Sequence, residues 1–258
     1  MIKHSADKRK KLLQRHRGIY LLPNLLTMIG LFAGFYAVVA AFKHQYAYAA
    51  MAIFIATIMD FLDGRIARLT KTQTEFGSQF DSLADMLSFG VAPALIMYAW
   101  VLHPLGKAGW LVAFFYTAAV ALRLARFNTQ VKVVDKRYFQ GLACPAAACL
   151  LASMLWLLKD YNISGLGASS VALVTLFAGL LMVSNIRYRS FKEIRFADRI
   201  RFVYLLILVL VFMLISVNPP VVLFLGFASY ALSGPVMTLL QLHKTRYRKK
   251  SQRNKSAS

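Results

Sequence analysis

The chain has 258 residues, of which 59% are hydrophobic, and its 31 lysines and arginines outweigh ten acidic residues to give a formal net charge of +21. This composition excludes an ordinary soluble domain, because apolar runs of about 18 residues or more are typical of membrane-spanning helices. The two cysteines, Cys144 and Cys149, are too few for a disulfide framework and lack metal-ligand spacing.

Eight apolar segments are predicted to span the membrane. They lie at about residues 24–42, 47–69, 79–101, 110–124, 145–158, 168–183, 202–217 and 221–242. Of the 31 basic residues, 28 lie on one side of this layout and three on the other, as the positive-inside rule describes. We therefore predict an all-α integral membrane protein, a bundle of about eight transmembrane helices with both termini in the cytoplasm.

The chain divides by composition into four regions. Residues 1–19 form a basic cytoplasmic segment, and residues 20–190 form a core of six spans. Residues 191–242 add an amphipathic segment and two further spans, and residues 243–258 form a basic tail that we expect to be disordered. The placement of the positive charge favours contact with anionic membrane lipids, so no nucleic-acid partner is expected.

The first span opens with two polar side chains near its predicted cytoplasmic end. Asn24 and Thr27 lie one helical turn apart, directly after Pro23, and proline is well tolerated in a first helical turn. Polar side chains in this position either cap the helix or face a site. The segment by itself leaves both roles open.

Four carboxylates concentrate where the second span ends and the third begins. Asp60, Asp63, Asp81 and Asp85 are four of only ten acidic residues in the chain. Each pair shares one helix face, so two helices joined by a short turn would point the pairs at each other. A carboxylate at the centre of a membrane helix costs roughly 2.5 to 3.5 kcal/mol, which makes these acids functional candidates. Hard oxygen ligands of this kind suit Mg²⁺, Mn²⁺ or Ca²⁺.

The spacing D-x2-D-G-x2-A-R-x8-G-x3-D-x3-D across residues 60–85 resembles the signature of the CDP-alcohol phosphotransferases. Every motif position is filled, by Asp60, Asp63, Gly64, Ala67, Arg68, Gly77, Asp81 and Asp85. The resemblance covers roughly residues 20 to 190. It implies transfer of a phosphatidyl or similar group from a CDP-linked donor to an alcohol, with release of CMP.

The resemblance also implies a role for each of these residues. The metal ligands would be Asp60, Asp63, Asp81 and Asp85, holding Mg²⁺ or Mn²⁺, with Ca²⁺ as a further candidate and two ions expected. The donor site would consist of Asn24, Thr27, Asp60, Gly64, Ala67, Arg68, Thr74 and Gly77. Thr74 is otherwise a solvated turn residue. Asp85 would be catalytic as the general base that takes the proton of the acceptor hydroxyl.

Two further segments flank the connection between the fourth and fifth spans. They read R-L-A-R-F-N from Arg123 and Y-F-Q-G-L-A-C-P-A-A-A from Tyr138. Both resemble the phosphatidylserine synthase branch of the same family, although Ala143-Cys144 replaces the usual Pro-Ser. This resemblance implies that the acceptor is bound by Arg123, Arg126, Asn128 and Gln140. The alternative for the two arginines is that they reach lipid headgroups.

The branch resemblance implies CDP-diacylglycerol and serine as substrates. It further implies a homodimer in the cell (inner) membrane, with the active site facing the cytoplasm. One rival is the same chemistry with choline, glycerol 3-phosphate or inositol phosphate as the acceptor. A rival of a different class is a divalent-cation transporter, in which the acids would line a cation path. Transporter acids usually lie near the bilayer midplane, whereas these acids lie near one end of their spans.

Overall fold

The computed structural model describes residues 21–130, 138–160, 166–189 and 202–255. Within these residues the fold consists of helices and one pair of short strands. The helices are α1 (Leu21–Phe42), α2 (Tyr46–Leu69), α3 (Glu75–Asp85), α4 (Ala92–Met97), α5 (Lys107–Gln130), α6 (Cys144–Leu158), α7 (Leu166–Val183), α8 (Phe202–Val217) and α9 (Pro219–Lys255). The predicted basic segment 1–19 and the amphipathic stretch up to residue 201 lie outside the described residues.

Among the described residues, five helical segments are long and apolar enough to cross a membrane. They are Leu21–Phe42, Tyr46–Leu69, Glu75–Leu105, Lys107–Thr129 and Pro219–Thr238. Cys144–Leu158 and Gly167–Val183 are apolar but shorter. The protein is therefore a multi-pass helical membrane protein, with five segments of spanning length among the described residues where the sequence predicts about eight spans. Most helices begin and end within a few residues of the predicted bounds, whereas α5 and α9 extend further.

The third of these segments, Glu75–Leu105 (the third rod), is one continuous helical stretch in which the helix winding changes twice. Helices α3 and α4 are each followed by a π-helical turn, at Met86–Val91 and at Tyr98–Leu102, and a 3₁₀ turn at His103–Leu105 ends the rod. Such π turns are often found at functional sites. The first one begins directly after Asp85, so the helix changes its winding beside the predicted acidic cluster.

Small residues let α1 pack closely against the third rod. The Ser88 hydroxyl donates a hydrogen bond of 3.2 Å to the Gly30 carbonyl. A methyl group on Gly34 would lie 2.7 Å from the Ser88 Cα atom, so only glycine fits at this crossing. Small residues and interhelical serine hydrogen bonds are characteristic of membrane helix packing. They hold α1 against the helix that carries two of the predicted site acids.

Helix α6 lies at the centre of the bundle. Most of its side chains are buried, and it packs against α2, α7, α9 and the third rod. Its two cysteines are free and buried, and Cys149 Sγ lies 3.2 Å from the Thr57 hydroxyl of α2. Buried free cysteines usually serve as small apolar packing residues, as the sequence predicts here.

A short antiparallel ladder departs from the predicted all-helical architecture. Strand β1 (Tyr138–Gln140) pairs with β2 (Arg187–Arg189), with Phe139 opposite Tyr188. Gly141 follows β1 at a φ of 77°, and its N–H donates to the Ile186 carbonyl at 2.9 Å. Glycine adopts this positive φ at no steric cost. The ladder thereby ties the start of α6 to the end of α7.

The last helix is longer than its composition predicts. Helix α9 continues to Lys255 and so includes most of the stretch, residues 243–258, for which the sequence predicts a disordered tail. The physical reason is local. No glycine or proline follows Pro235, and the lysines, arginines and glutamines of this stretch have good helix propensity.

Candidate active site

The acidic cluster predicted from the motif forms where α2 and α3 end. One carboxylate oxygen from each of Asp60, Asp63 and Asp81 lies within 4.8 Å of the other two. Asp63 is only 4% exposed, and the other two are half-buried. Asp85 lines the same pocket but stands outside this group of three. Three of the four predicted metal ligands therefore come together, and the fourth lies beside them.

The short connection between α2 and α3 sets the position of the two acidic pairs. Lys71 adopts a φ of 54°, which is uncommon outside glycine and reverses the chain after α2. Thr74 then caps α3, because its hydroxyl accepts a hydrogen bond of 3.0 Å from the Gly77 N–H. The start of α3 is thereby fixed, and helical periodicity turns Asp81 and Asp85 toward α2.

Thr27 connects α1 to the cluster directly. Its hydroxyl donates to the Asp63 carboxylate at 2.6 Å and lies 3.1 Å from the Pro23 carbonyl. Both Thr27 and Asp63 are buried, and a hydrogen bond to a charged acceptor is stronger than one between neutral groups. Thr27 therefore orients one of the carboxylates.

Asn24, Thr74 and Gly77 lie close together where α1, the α2–α3 connection and α3 meet. A methyl group on Gly77 would lie 3.0 Å from Thr74 Oγ1 and 3.2 Å from Asn24 Oδ1. Any side chain at residue 77 would therefore crowd both polar atoms. The structure thus brings together three of the predicted donor-site residues from α1, the connection and α3.

The remaining donor-site residues line the last turns of α2. A methyl group on Gly64 would meet nothing within 4 Å, so the missing side chain leaves open space instead of permitting a close helix contact. Ala67 is half-buried, and Arg68 is exposed. This face of α2 is open to a ligand, with a basic side chain at its edge.

Arg123 of α5 lies beside the acidic cluster. Its guanidinium is close enough to Asp85 for electrostatic attraction, and its Nη1 donates to Cys144 Sγ at 3.4 Å. Its Nε is the one buried side-chain nitrogen or oxygen, in the part of the chain described, that has no hydrogen-bond partner. A buried N–H without a partner is costly. Arg123 therefore retains capacity to bind an anionic group.

The other predicted acceptor residues have different surroundings. Arg126 Nη1 donates to the Val183 carbonyl at 3.0 Å and to Asn185 Oδ1 at 3.3 Å, at the end of α7. Asn128 Nδ2 donates to the Ser82 hydroxyl of α3 at 3.1 Å. Gln140 lies in β1, and its side chain is outside the described part of the structure. The side chains of Arg126 and Asn128 thus donate hydrogen bonds to other groups of the protein, whereas the Arg123 guanidinium is less fully engaged by such bonds.

Several residues that line the pocket were missed by the sequence reasoning. They are Gly30, Ala56, Ala84, Ser88 and Phe89. Helical spacing provides a signal for some of them, because Ser88 follows Asp81 and Asp85 at i+7 and i+3, and Gly30 follows Thr27 at i+3. Ala56 precedes Asp60 by one turn in the same way.

The cluster fits a divalent cation. Three carboxylate oxygens converge from two helices, and Mg²⁺ is commonly held by carboxylates together with water and substrate phosphates. Within the described residues the only salt bridge joins Lys159 to Asp160, so these three acids are not neutralised by direct pairing with lysine or arginine. Acids gathered in this way need a positive partner to offset their repulsion.

The fold and the site together define a class of protein. The CDP-alcohol phosphatidyltransferase family matches residues 20–185, which include α1 to α7 and all four acids. The chain belongs to this family and is a phosphatidyltransferase.

Individual relatives extend the comparison beyond the family region. A protein of Helicobacter pylori named CDP-diacylglycerol–serine O-phosphatidyltransferase is 38% identical over 245 residues, which cover 93% of this chain and 98% of the relative. Proteins of the same name from Mycobacterium tuberculosis and Methanocaldococcus jannaschii are 36% and 35% identical. They match 58% and 55% of this chain, and 54% and 63% of their own lengths.

Proposed function

We propose that this chain transfers the phosphatidyl group of CDP-diacylglycerol to the hydroxyl of serine and releases CMP. The observation that carries the proposal is the near full-length similarity to the Helicobacter pylori protein that bears this activity in its name. The family match and the convergence of Asp60, Asp63 and Asp81 support the same chemistry independently.

The CDP group of the donor would bind along the open face of the last turns of α2. Gly64 leaves open space against the helix, and Asn24, Thr74 and Gly77 offer polar atoms where α1 and α3 meet. Arg68 is exposed at the edge, where its planar fork suits a phosphate. The exposed apolar side chains of the bundle surface would contact the diacylglycerol portion within the lipid.

The acidic cluster would hold a divalent cation against the donor diphosphate. Asp60, Asp63 and Asp81 would be its protein ligands, with Thr27 fixing the orientation of Asp63. When bound, such an ion neutralises negative charge on phosphate oxygens and stabilises the charge that develops on the leaving group. Two ions and the choice between Mg²⁺ and Mn²⁺ remain predictions of the family resemblance.

The transfer itself needs a base at the acceptor. The serine hydroxyl oxygen forms a new bond to the phosphatidyl phosphorus, the bond from that phosphorus to CMP breaks, and CMP leaves with the electron pair. The hydroxyl proton passes to a carboxylate. Asp85 is the best candidate, because it lines the pocket beside the three metal-binding acids without belonging to their group.

Acceptor recognition rests on α5. Serine carries a carboxylate, and arginine binds carboxylates through two parallel N–H donors. Arg123 is the stronger candidate of the two predicted arginines, because it lies beside Asp85 and has an unused buried N–H. Arg126 instead donates to the end of α7, which supports a role in shaping the pocket.

A cytoplasmic active site and a homodimer complete the proposal. Serine and CMP are water-soluble, so the site must open to the aqueous side on which both are available. The positive-inside rule assigns that side to the cytoplasm. The homodimer rests on family resemblance alone.

The test is a CMP-release assay on the purified protein in detergent with CDP-diacylglycerol and Mn²⁺. Serine, choline, glycerol 3-phosphate and inositol phosphate are compared as acceptors, each at the same concentration. We expect rapid CMP release with serine and little above background with the other three. Preferential use of another acceptor would keep the family chemistry but contradict serine. No acceptor-dependent release, together with cation flux in proteoliposomes without CDP-lipid, would support the transporter instead.

A further inference from the structure

Each π turn of the third rod accepts a hydrogen bond from a tyrosine of a neighbouring helix. Tyr116 of α5 donates to the Phe89 carbonyl at 3.1 Å, in the first π turn, Met86–Val91. Tyr46 of α2 donates to the Ala99 carbonyl at 3.4 Å, in the second π turn. The first π turn directly follows the acidic pair on α3, whereas the second lies at the other end of the rod. Two similar contacts therefore differ in what they can influence.

The Phe89 carbonyl lacks the donor that an ordinary α-helix would give it. In an α-helix that donor is the N–H four residues further along, and residue 93 is a proline, which has no N–H. Backbone groups freed by proline in membrane helices are commonly satisfied by neighbouring helices. Tyr116, which is fully buried, therefore supplies a hydrogen bond at the point where the winding changes.

The first π turn is held from both sides. The Ser88 hydroxyl donates to the Gly30 carbonyl of α1 at 3.2 Å. On the other side, a methyl group on Gly90 would lie 3.1 Å from Val120 Cγ1 of α5, so the rod approaches α5 closely. The turn is thus fixed between α1 and α5, and the Tyr116 hydroxyl provides a polar contact on the α5 side.

This π turn sets the direction of the acids on α3. Helix α4, which follows the turn, is anchored because most of its side chains are buried in the core. A π turn holds about one residue more than an α turn, and one residue corresponds to about 100° of rotation in an α-helix. Loss of the π winding would therefore rotate Asp81 and Asp85 about the rod axis, away from Asp60 and Asp63 of α2.

We propose that Tyr116 is a positioning residue, whose hydroxyl holds the π turn in the winding that directs Asp81 and Asp85 into the acidic cluster. The proposal rests on the proposed metal-dependent transfer and deepens it, because it assigns part of the site geometry to a residue outside the pocket. Its consequence is that loss of the hydroxyl weakens cation binding through Asp81 and slows turnover through Asp85. The affinity for the acceptor is unaffected.

The experiment compares Tyr116→Phe with the wild-type protein and with Tyr46→Phe in detergent, well below the melting temperatures. Mn²⁺ affinity is measured by isothermal titration without substrates, and CMP release is measured at saturating Mn²⁺ with serine varied. For Tyr116→Phe we expect the Kd for Mn²⁺ to rise and kcat to fall, each about tenfold, as when a residue that orients metal ligands is lost. The KM for serine should be unchanged. Tyr46→Phe removes the corresponding hydroxyl at the second π turn and should leave all three quantities unchanged.

A second variant, Pro93→Ala, tests the same turn in case Tyr116→Phe does not fold. It restores a backbone N–H four residues after Phe89, which favours ordinary α-helical winding over the π turn. We expect Mn²⁺ affinity and kcat to fall in this variant as well, with Tyr116 still present.

A hydroxyl that only stabilises the bundle would change the Tm alone. Wild-type Mn²⁺ affinity and kcat in Tyr116→Phe would therefore overturn the proposal, as would unchanged values in Pro93→Ala if Tyr116→Phe does not fold. Equal losses in Tyr46→Phe would also overturn it, because the effect would not be specific to the turn beside the acids. A wild-type protein that binds Mn²⁺ but releases no CMP with serine would contradict the proposed function, and the Mn²⁺ affinities would still test the role of Tyr116. Absence of Mn²⁺ binding in the wild-type protein would contradict both.

Discussion

The four acids of the site differ in what surrounds each of them. Asp63 is buried and accepts a hydrogen bond from Thr27, and together with Asp60 and Asp81 it forms a compact group of carboxylate oxygens. Asp85 lies beside this group and near Arg123. These surroundings support a division in which the first three bind cation and the fourth handles the acceptor proton.

Replacing Asp85 tests this division. We expect Asp85→Asn to lower kcat for CMP release by about 100-fold or more, the usual contribution of a general base. Binding of Mn²⁺, measured by isothermal titration, should stay close to wild type, because the three-acid group is intact. The matched control is Asp160→Asn, which removes an exposed carboxylate paired with Lys159 and should leave both quantities unchanged. Near-normal turnover in Asp85→Asn would rule out its role as the base.

The two arginines show where prediction from sequence stops at the residue scale. Arg123 and Arg126 are three positions apart, so they share a helix face and look equivalent in the sequence. The structure separates them, because Arg126 donates to the end of α7 whereas Arg123 has a buried N–H without a partner. That difference depends on contacts 57 residues away along the chain, which no local pattern contains.

At the scale of elements, the close crossing of α1 and the third rod holds the site together. Because a methyl group on Gly34 would lie 2.7 Å from the Ser88 Cα atom, we expect Gly34→Ala to destabilise the protein by about 1 to 3 kcal/mol. Thermal unfolding in detergent should show a lower Tm. The control is Gly226→Ala, where the added methyl meets nothing within 4 Å and the Tm should hold. Equal melting temperatures would contradict the tight crossing.

Helix positions were largely predictable because apolar runs end at charged or turn-forming residues. The seventh predicted span, 202–217, coincides with α8, and the second differs from α2 by one residue. The change from α-helical to π-helical winding after Asp85 was not predictable. No residue type in the sequence distinguishes a π turn from an ordinary α-helical turn. Its formation depends on how α3 packs against its neighbours.

At the scale of the whole molecule, the meeting of the four acids was predictable, but the enclosure of the site was not. The acids lie on two helices joined by a short turn, so their spacing suffices to place them together. The β1–β2 ladder joins segments that are distant along the chain, with Phe139 opposite Tyr188, and Arg126 likewise donates to Val183 at the end of α7. Such contacts follow from the packing of the entire bundle.

The central claim is that the gathered acids bind a divalent cation needed to transfer a phosphatidyl group to serine. It is tested most directly by CMP release from CDP-diacylglycerol by the purified protein, first in excess chelator and then with Mn²⁺ restored. We expect serine-dependent release to fall to background in chelator and to return with Mn²⁺. Serine-dependent release at full rate in the presence of chelator would contradict the claim.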